Sequence, residues 1–189
     1  MLRSFRGFIP FIAFGVLNGL TDVRIAAVTA VVLSALLLLE SRRTGDRLDE
    51  HVIEISASVF FLAFTLLAFL DPRTPLADHT TALSSAWLAL TAWGGLLAHK
   101  PFTMGIARRS VPRQVWENPM FYKVNAVISS VWAAAFTVTA VVATVIGLLT
   151  THGGTAVTAV QVLGFVVPAA FTVRYQAAVG RRAAKLGMA

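Results

Sequence analysis

The chain has 189 residues, 57% of them hydrophobic and only 13% charged, with a formal net charge of +7 and a mean hydropathy of +0.74. That balance is more apolar and far less charged than a soluble domain, which excludes a soluble enzyme, a disordered chain and a secreted miniprotein. The sequence holds no cysteine, so disulfides, thiolate metal sites and cysteine nucleophiles are excluded as well.

Six runs lack Asp, Glu, Lys and Arg: residues 7–21, 25–39, 55–70, 80–98, 124–150 and 153–173. They predict an all-α, polytopic transmembrane bundle of six membrane helices, the first of them short, as a single domain over 1–189. A helix needs roughly 20 residues to cross about 30 Å of hydrocarbon, so the last three runs suffice unaided. The first three cross if Arg6, Arg24, Arg42 and Glu54 lie near interfaces and reach toward water.

The first run contains Pro10 and also fits a half-span. Arg3 and Arg6 ahead of it resemble the start of a signal peptide, but the small-x-small triplet Ala13-Phe14-Gly15 sits inside the apolar stretch rather than after it. Asn18-Gly19 followed by Thr21-Asp22 predicts a helix stop on a left-handed glycine and then a new N-cap. Gly15 and Gly19 have the small-xxx-small spacing of a close helix contact, with a neighbouring helix or a second protomer. Residues 40–50 form a charged inner loop, Asp71-Pro72 and Pro75 end the third helix, and residues 150–154 make an uncharged outer turn. With an inside N-terminus, every Lys and Arg except Arg24 and Arg73 falls on one face, so the positive-inside rule places both termini in the cytoplasm.

The longest connection, residues 99–123, interleaves basic and apolar residues between Pro101 and Pro112. It predicts a basic cytoplasmic interfacial segment, apolar side in the acyl boundary, with Arg108, Arg109 and Arg113 facing anionic headgroups. The plainer alternative is a solvated loop that serves only orientation. Trp116 suits an interfacial anchor, and Trp132, well inside its span, a buried spacer or pocket wall.

Helical periodicity assigns faces to the spans. On the third, Glu54, Ser58 and Thr65 form one line, and Phe60, Phe64 and Leu67 mark the opposite side. Thr80, Ser84, Trp87, Thr91 and Gly94 share a face of the fourth. Asn125, Ser129, Trp132 and Thr139 do so on the fifth, with Phe136 among them. These stripes either pack helices together or converge on a polar cavity lined by Glu54, Ser58, Asn125, Ser129, Trp132 and Gln161, near a Pro168 kink that frees the Gly164 carbonyl. Glu54 is the most deeply placed ionisable residue, a functional candidate or an interfacial partner for Arg43 or Arg47. His51 and Glu54 give only half of a metal-binding pattern, so no metal or other cofactor is expected. No phosphate-loop, G-x-S-x-G or H-E-x-x-H pattern occurs, and no catalytic residue is assigned. The basic residues lie between apolar runs, which points to membrane orientation rather than nucleic acid.

Several short motifs bear on the family. They are Phe8-Ile9-Pro10-Phe11-Ile12-Ala13-Phe14, Lys100-Pro101-Phe102-Thr103, Val111-Pro112-Arg113-Gln114-Val115-Trp116, Asn125, and Trp132-Ala133-Ala134-Ala135-Phe136. In this order the chain resembles the bacterial intracellular septation protein A family and related small multi-pass proteins, from about residue 8 to 173. Asn118, Pro119 and Tyr122 depart from that pattern. The resemblance implies a multi-pass protein of the bacterial inner (cytoplasmic) membrane linked to cell-envelope maintenance or septation, and it implies no catalytic residues. The leading expectation is a non-enzymatic protein that organises anionic lipids or partner membrane proteins, with possible homo-oligomers. The alternative is a small-solute or ion permease with a cavity between helices three to six.

Overall fold

A computed structural model describes residues 6–43, 51–71, 75–150 and 154–185. Every regular element among them is helical: α1 (Ile9–Asn18), α2 (Val23–Arg43), α3 (Val52–Leu70), α4 (Thr80–Leu97), α5 (Phe102–Arg108), α6 (Pro119–Leu149) and α7 (Gly154–Lys185). Short 3₁₀ turns precede α4, at Pro75–His79, and α6, at Arg113–Val115. Four helices (α2, α3, α6 and α7) are long and apolar enough to cross a membrane, and α4 with α5 makes a fifth candidate bent by 80° at its break. At 10 residues, α1 rises only about 15 Å, half of a hydrocarbon core.

The packing forms two groups. In one, α2 lies against α1 and α3; in the other, α6 lies against α4, α5 and α7. Aromatic rings join them. Phe8 stacks on Trp132 at 4.9 Å and 7°, and also meets Phe102, Phe136 and Phe165. Phe11 and Phe14 pack on Phe61, and Phe14 also on Phe64. Thus α1 with the Phe8 that caps it is a central plug, Phe8, Phe11 and Phe14 being buried, while Leu36, Val59, Leu66, Val141, Val166 and Val167 are exposed on other helices. Large apolar side chains on the outside and Ser84, Asn125, Ser129 and Thr139 on the inside make the surface of a multi-pass membrane protein. Lipid tails are as apolar as leucine, so close packing and interhelical hydrogen bonds must hold such helices together.

Several expectations are corrected. The phenylalanine side of α3 faces inward, with Phe60, Phe61 and Phe64 buried, whereas Ser58 and Thr65 are only half-buried. Gly19 is right-handed, with φ −82°, because the turn closes on the Leu17 carbonyl, which accepts from both the amide and hydroxyl of Thr21. Of the expected pair Thr21-Asp22, it is Asp22 that caps α2, its carboxylate accepting the Arg24 amide at 2.8 Å. Only Gly15 of the glycine pair is tight, against Gln161 of α7. Within the segment after α4, Phe102, Thr103, Met104 and Gly105 are buried, so this side of α5 packs into protein. Most of the inner loop at 44–50 and the turn at 151–153 lie outside the described residues.

The break between α4 and α5 has a defined cause. The Lys100 amide donates to the Gly95 carbonyl at 2.7 Å and the His99 amide to Leu96 at 3.0 Å, the paired bonds of a Schellman stop. The left-handed position belongs to His99, with φ 55°. Pro101 then caps α5. A methyl on Gly95 would stand 2.8 Å from the Lys100 carbonyl oxygen. Gly95→Ala is therefore expected to lower stability by about 2 kcal/mol through overpacking. His99→Val costs about 1 kcal/mol or more, whereas His99→Gly costs none, since glycine enters the left-handed region freely. Unfolding in mixed micelles measures all three.

Candidate functional site

Two polar clusters lie where α5 meets its neighbours. The first is ionic. Glu54 stands in the first turn of α3, where the helix dipole favours a carboxylate. Arg109 is the residue that closes α5. Its Nη1 donates to Glu54 Oε1 at 3.0 Å and its Nη2 to His51 Nδ1 at 2.7 Å. A guanidinium only donates, so the imidazole Nδ1 is the acceptor. The His51–Glu54 approach is longer, 3.8 Å, beyond hydrogen-bond range. His51 and Glu54 are 2% and 3% exposed and the Arg109 side chain 19%, so a buried carboxylate meets a partly buried guanidinium. Nearby, Arg6 pairs with Glu40, joining the turn before α1 to the end of α2.

The second cluster joins α5 to α6. Thr103 Oγ1 donates to the Asn125 carbonyl at 2.9 Å and lies 2.8 Å from Ser129 Oγ. Asn125 Nδ2 donates to the Phe121 carbonyl at 2.8 Å. Deeper, Trp132 Nε1 donates to Thr172 Oγ1 at 3.0 Å, and Thr172 donates to the Pro168 carbonyl at 2.8 Å. Beside these bonds lies a cavity of about 430 Å³, bounded by Phe8, α5, α6, α7 and the Ser110-Val111 turn. That is within the range of ligand pockets.

The proposed cavity residues therefore do not form one site. Asn125 and Trp132 line this cavity, and Ser129 braces its wall through Thr103. Glu54 is held by Arg109 instead. Ser58 donates to the Glu54 carbonyl of its own helix at 2.9 Å. Gln161 is elsewhere, touching Gly15 and accepting from Thr81 at 3.3 Å. On α7, Gly164 packs so closely on Thr139 that an added methyl would overlap its hydroxyl. The suggested pairing of Glu54 with Arg43 or Arg47 lies outside the described side chains.

The three arginines also separate. Arg109 turns inward to Glu54. Arg108 and Arg113 lie over the Trp116 ring, at 5.2 and 5.7 Å from its centroid, and Trp116 Nε1 donates to the Val111 carbonyl at 3.3 Å. Among the described residues, no group of three His, Cys, Asp or Glu is placed to hold a metal.

Sequence reasoning missed Thr103, Thr172 and Ser56, the last of which accepts from Trp87 Nε1 at 2.8 Å and lies 2.7 Å from Thr91 Oγ1. It also missed Arg109's direction. The available signal was spacing: Arg109 is seven residues after Phe102, two helical turns along one face.

Removing one member of a buried pair leaves the other charge uncompensated. Glu54→Gln and Arg109→Gln are each expected to destabilise by about 3 kcal/mol, and Glu54→Met with Arg109→Met together by much less. A double-mutant cycle in mixed micelles checks this, and additive losses would contradict the pairing. No family model, curated protein or solved structure matches this chain.

Proposed function

We propose that this chain is a non-enzymatic, multi-pass protein of the bacterial cytoplasmic membrane that gathers anionic lipid, and through it neighbouring membrane proteins or further copies of itself, at its basic inner face. In this reading α1 is the short first of six membrane helices and both termini are cytoplasmic, the arrangement the positive-inside rule favours. The observation that carries the proposal is the Arg108–Trp116–Arg113 stack. Two guanidinium groups share one indole, which concentrates basic charge on this segment and favours an anionic headgroup beside it. The stack lies on the segment that Arg109 ties to the bundle. The resemblance to the septation protein A family extends the proposal to envelope maintenance or division.

A permease is the rival reading, and two observations weigh against it. Glu54, its expected polar group, is engaged by Arg109. Phe8, Phe11, Phe14, Phe61 and Phe136 fill the junction of the two helix groups.

Two measurements test the proposal. Proteoliposomes should show no solute flux above that of empty vesicles; flux that Glu54→Gln abolishes would favour transport. In mixed micelles the protein should retain phosphatidylglycerol over phosphatidylcholine. Arg108→Gln and Arg113→Gln should each remove about 1 kcal/mol of that preference, roughly fivefold. An unchanged preference in the double variant would end the lipid-gathering proposal.

A further inference from the structure

The cavity beside α5 joins an apolar interior to a basic rim. Its floor is made of buried Phe8, Phe102 and Trp132, and its mouth of the exposed Ser110 and Gln176 with half-buried Val111 and Phe121. From Phe121 to Trp132 it follows α6 for about 16 Å, a reach along the helix axis suited to a chain rather than a compact solute. Away from Ser110 and Gln176 at the mouth, the polar side chains on its wall already donate hydrogen bonds within the protein. Thr103 is bonded to Asn125, the Asn125 amide to Phe121, and Trp132 to Thr172, which is bonded to Pro168. A polar solute would have to compete with these bonds, whereas a hydrocarbon chain asks for none.

The rim supplies the complementary part. Arg108 follows the cavity residue Ala107 directly, and the Trp116 ring that holds Arg108 and Arg113 is tied to the cavity residue Val111 through its indole N–H. The same short turn thus carries both the entrance and two guanidinium groups.

We propose that this cavity takes one acyl chain of an anionic phospholipid, whose phosphate rests on Arg108 and Arg113. This rests on the lipid-gathering function proposed above and adds a discrete, stoichiometric site to it. The lipid would be clamped by protein on one chain while its other chain stays in the bilayer, which makes it a bound component and not part of a loose annulus.

The test uses the full chain purified in detergent. Native mass spectrometry with added phosphatidylglycerol should show one molecule retained ahead of all others, and phosphatidylcholine should not replace it. Phosphatidylglycerol carrying a diazirine near its acyl terminus should cross-link to peptides containing Phe102 or Trp132. Cross-links confined to the outward residues Val162, Val166 and Val141 would overturn the site, without needing any variant to fold. Ala107→Trp, which fills the cavity, should weaken retention of the first lipid roughly tenfold or more, and Val124→Phe provides a second filling variant. If both filled variants fold and keep the first lipid, the chain site is wrong even though the headgroup preference persists. If inorganic phosphate displaces the lipid as well as unlabelled phosphatidylglycerol does, the headgroup alone is recognised and the chain site is again wrong. Loss of the first retained lipid in the filled variants, with preference for anionic vesicles intact, supports it. If Arg108→Gln with Arg113→Gln leaves all anionic preference intact, the underlying function fails first.

Discussion

The contact of Arg109 with Glu54 fixes the position of α5, and much of the packing at that end of the molecule follows from it. A seven-residue helix has almost no stability of its own, because helix nucleation is costly and short helices recover little of it. Here α5 is held at both ends. Its start is set by the Schellman stop and Pro101, and its finish by a guanidinium that donates to two side chains of α3. Between these points Thr103 bonds to α6. The cavity lies between α5, so pinned, and the parts of α6 and α7 that carry Phe121, Trp132 and Thr172.

A second constraint explains why polar residues are inside and apolar ones outside. Where hydrocarbon is the solvent, an unsatisfied donor costs several kcal/mol, and apolar contact between helices gains little over contact with lipid. Hydroxyls other than that of Thr65 therefore bond across helices, as Ser56 does to Thr91, or back along their own helix, as Thr29, Ser130 and Thr137 do. What distinguishes the interior is shape. Interlocked rings pack closely, and each well-placed aromatic pair adds about 0.5–1.5 kcal/mol. This is why α1, too short to cross unaided, is buried by Phe11, Phe14 and the Phe8 that precedes it.

The sequence made the long helices legible because their charge-free runs match the thickness of a bilayer. The interior stripe of α6 was legible too: Asn125, Ser129, Trp132, Phe136 and Thr139 are all buried, since periodicity reports a face wherever a helix is long. The polar line on α3 misled for a physical reason. In lipid, hydrophobicity does not choose the inward face, so Phe60 and Phe64 could not be assigned to lipid from their apolarity. The arginines could not be sorted by composition either, because Arg108 and Arg109 differ only by 100° of rotation on a helix too short to show a period. His99 was invisible for a related reason: a left-handed stop usually advertises itself by glycine, and here Gly95 marks the close approach four residues earlier.

The buried pair itself is not explained by stability. Withdrawing the Glu54 carboxylate from water, and the Arg109 guanidinium in part, costs several kcal/mol, and their attraction roughly repays it when the geometry is good. An apolar contact would serve cohesion as well. It would not serve orientation, because apolar side chains of similar volume fit a neighbour in many rotations, whereas a guanidinium that must meet a carboxylate on one side and an imidazole on the other has very few. Arg109 therefore fixes the rotation of α5 about its own axis. With Arg109 directed inward to α3, Arg108 is carried round to Trp116 and Thr103 to Ser129, and the cavity residues Ile106 and Ala107 fall on the side that faces α6 and α7. The single inward arginine thereby determines where the outward ones stand.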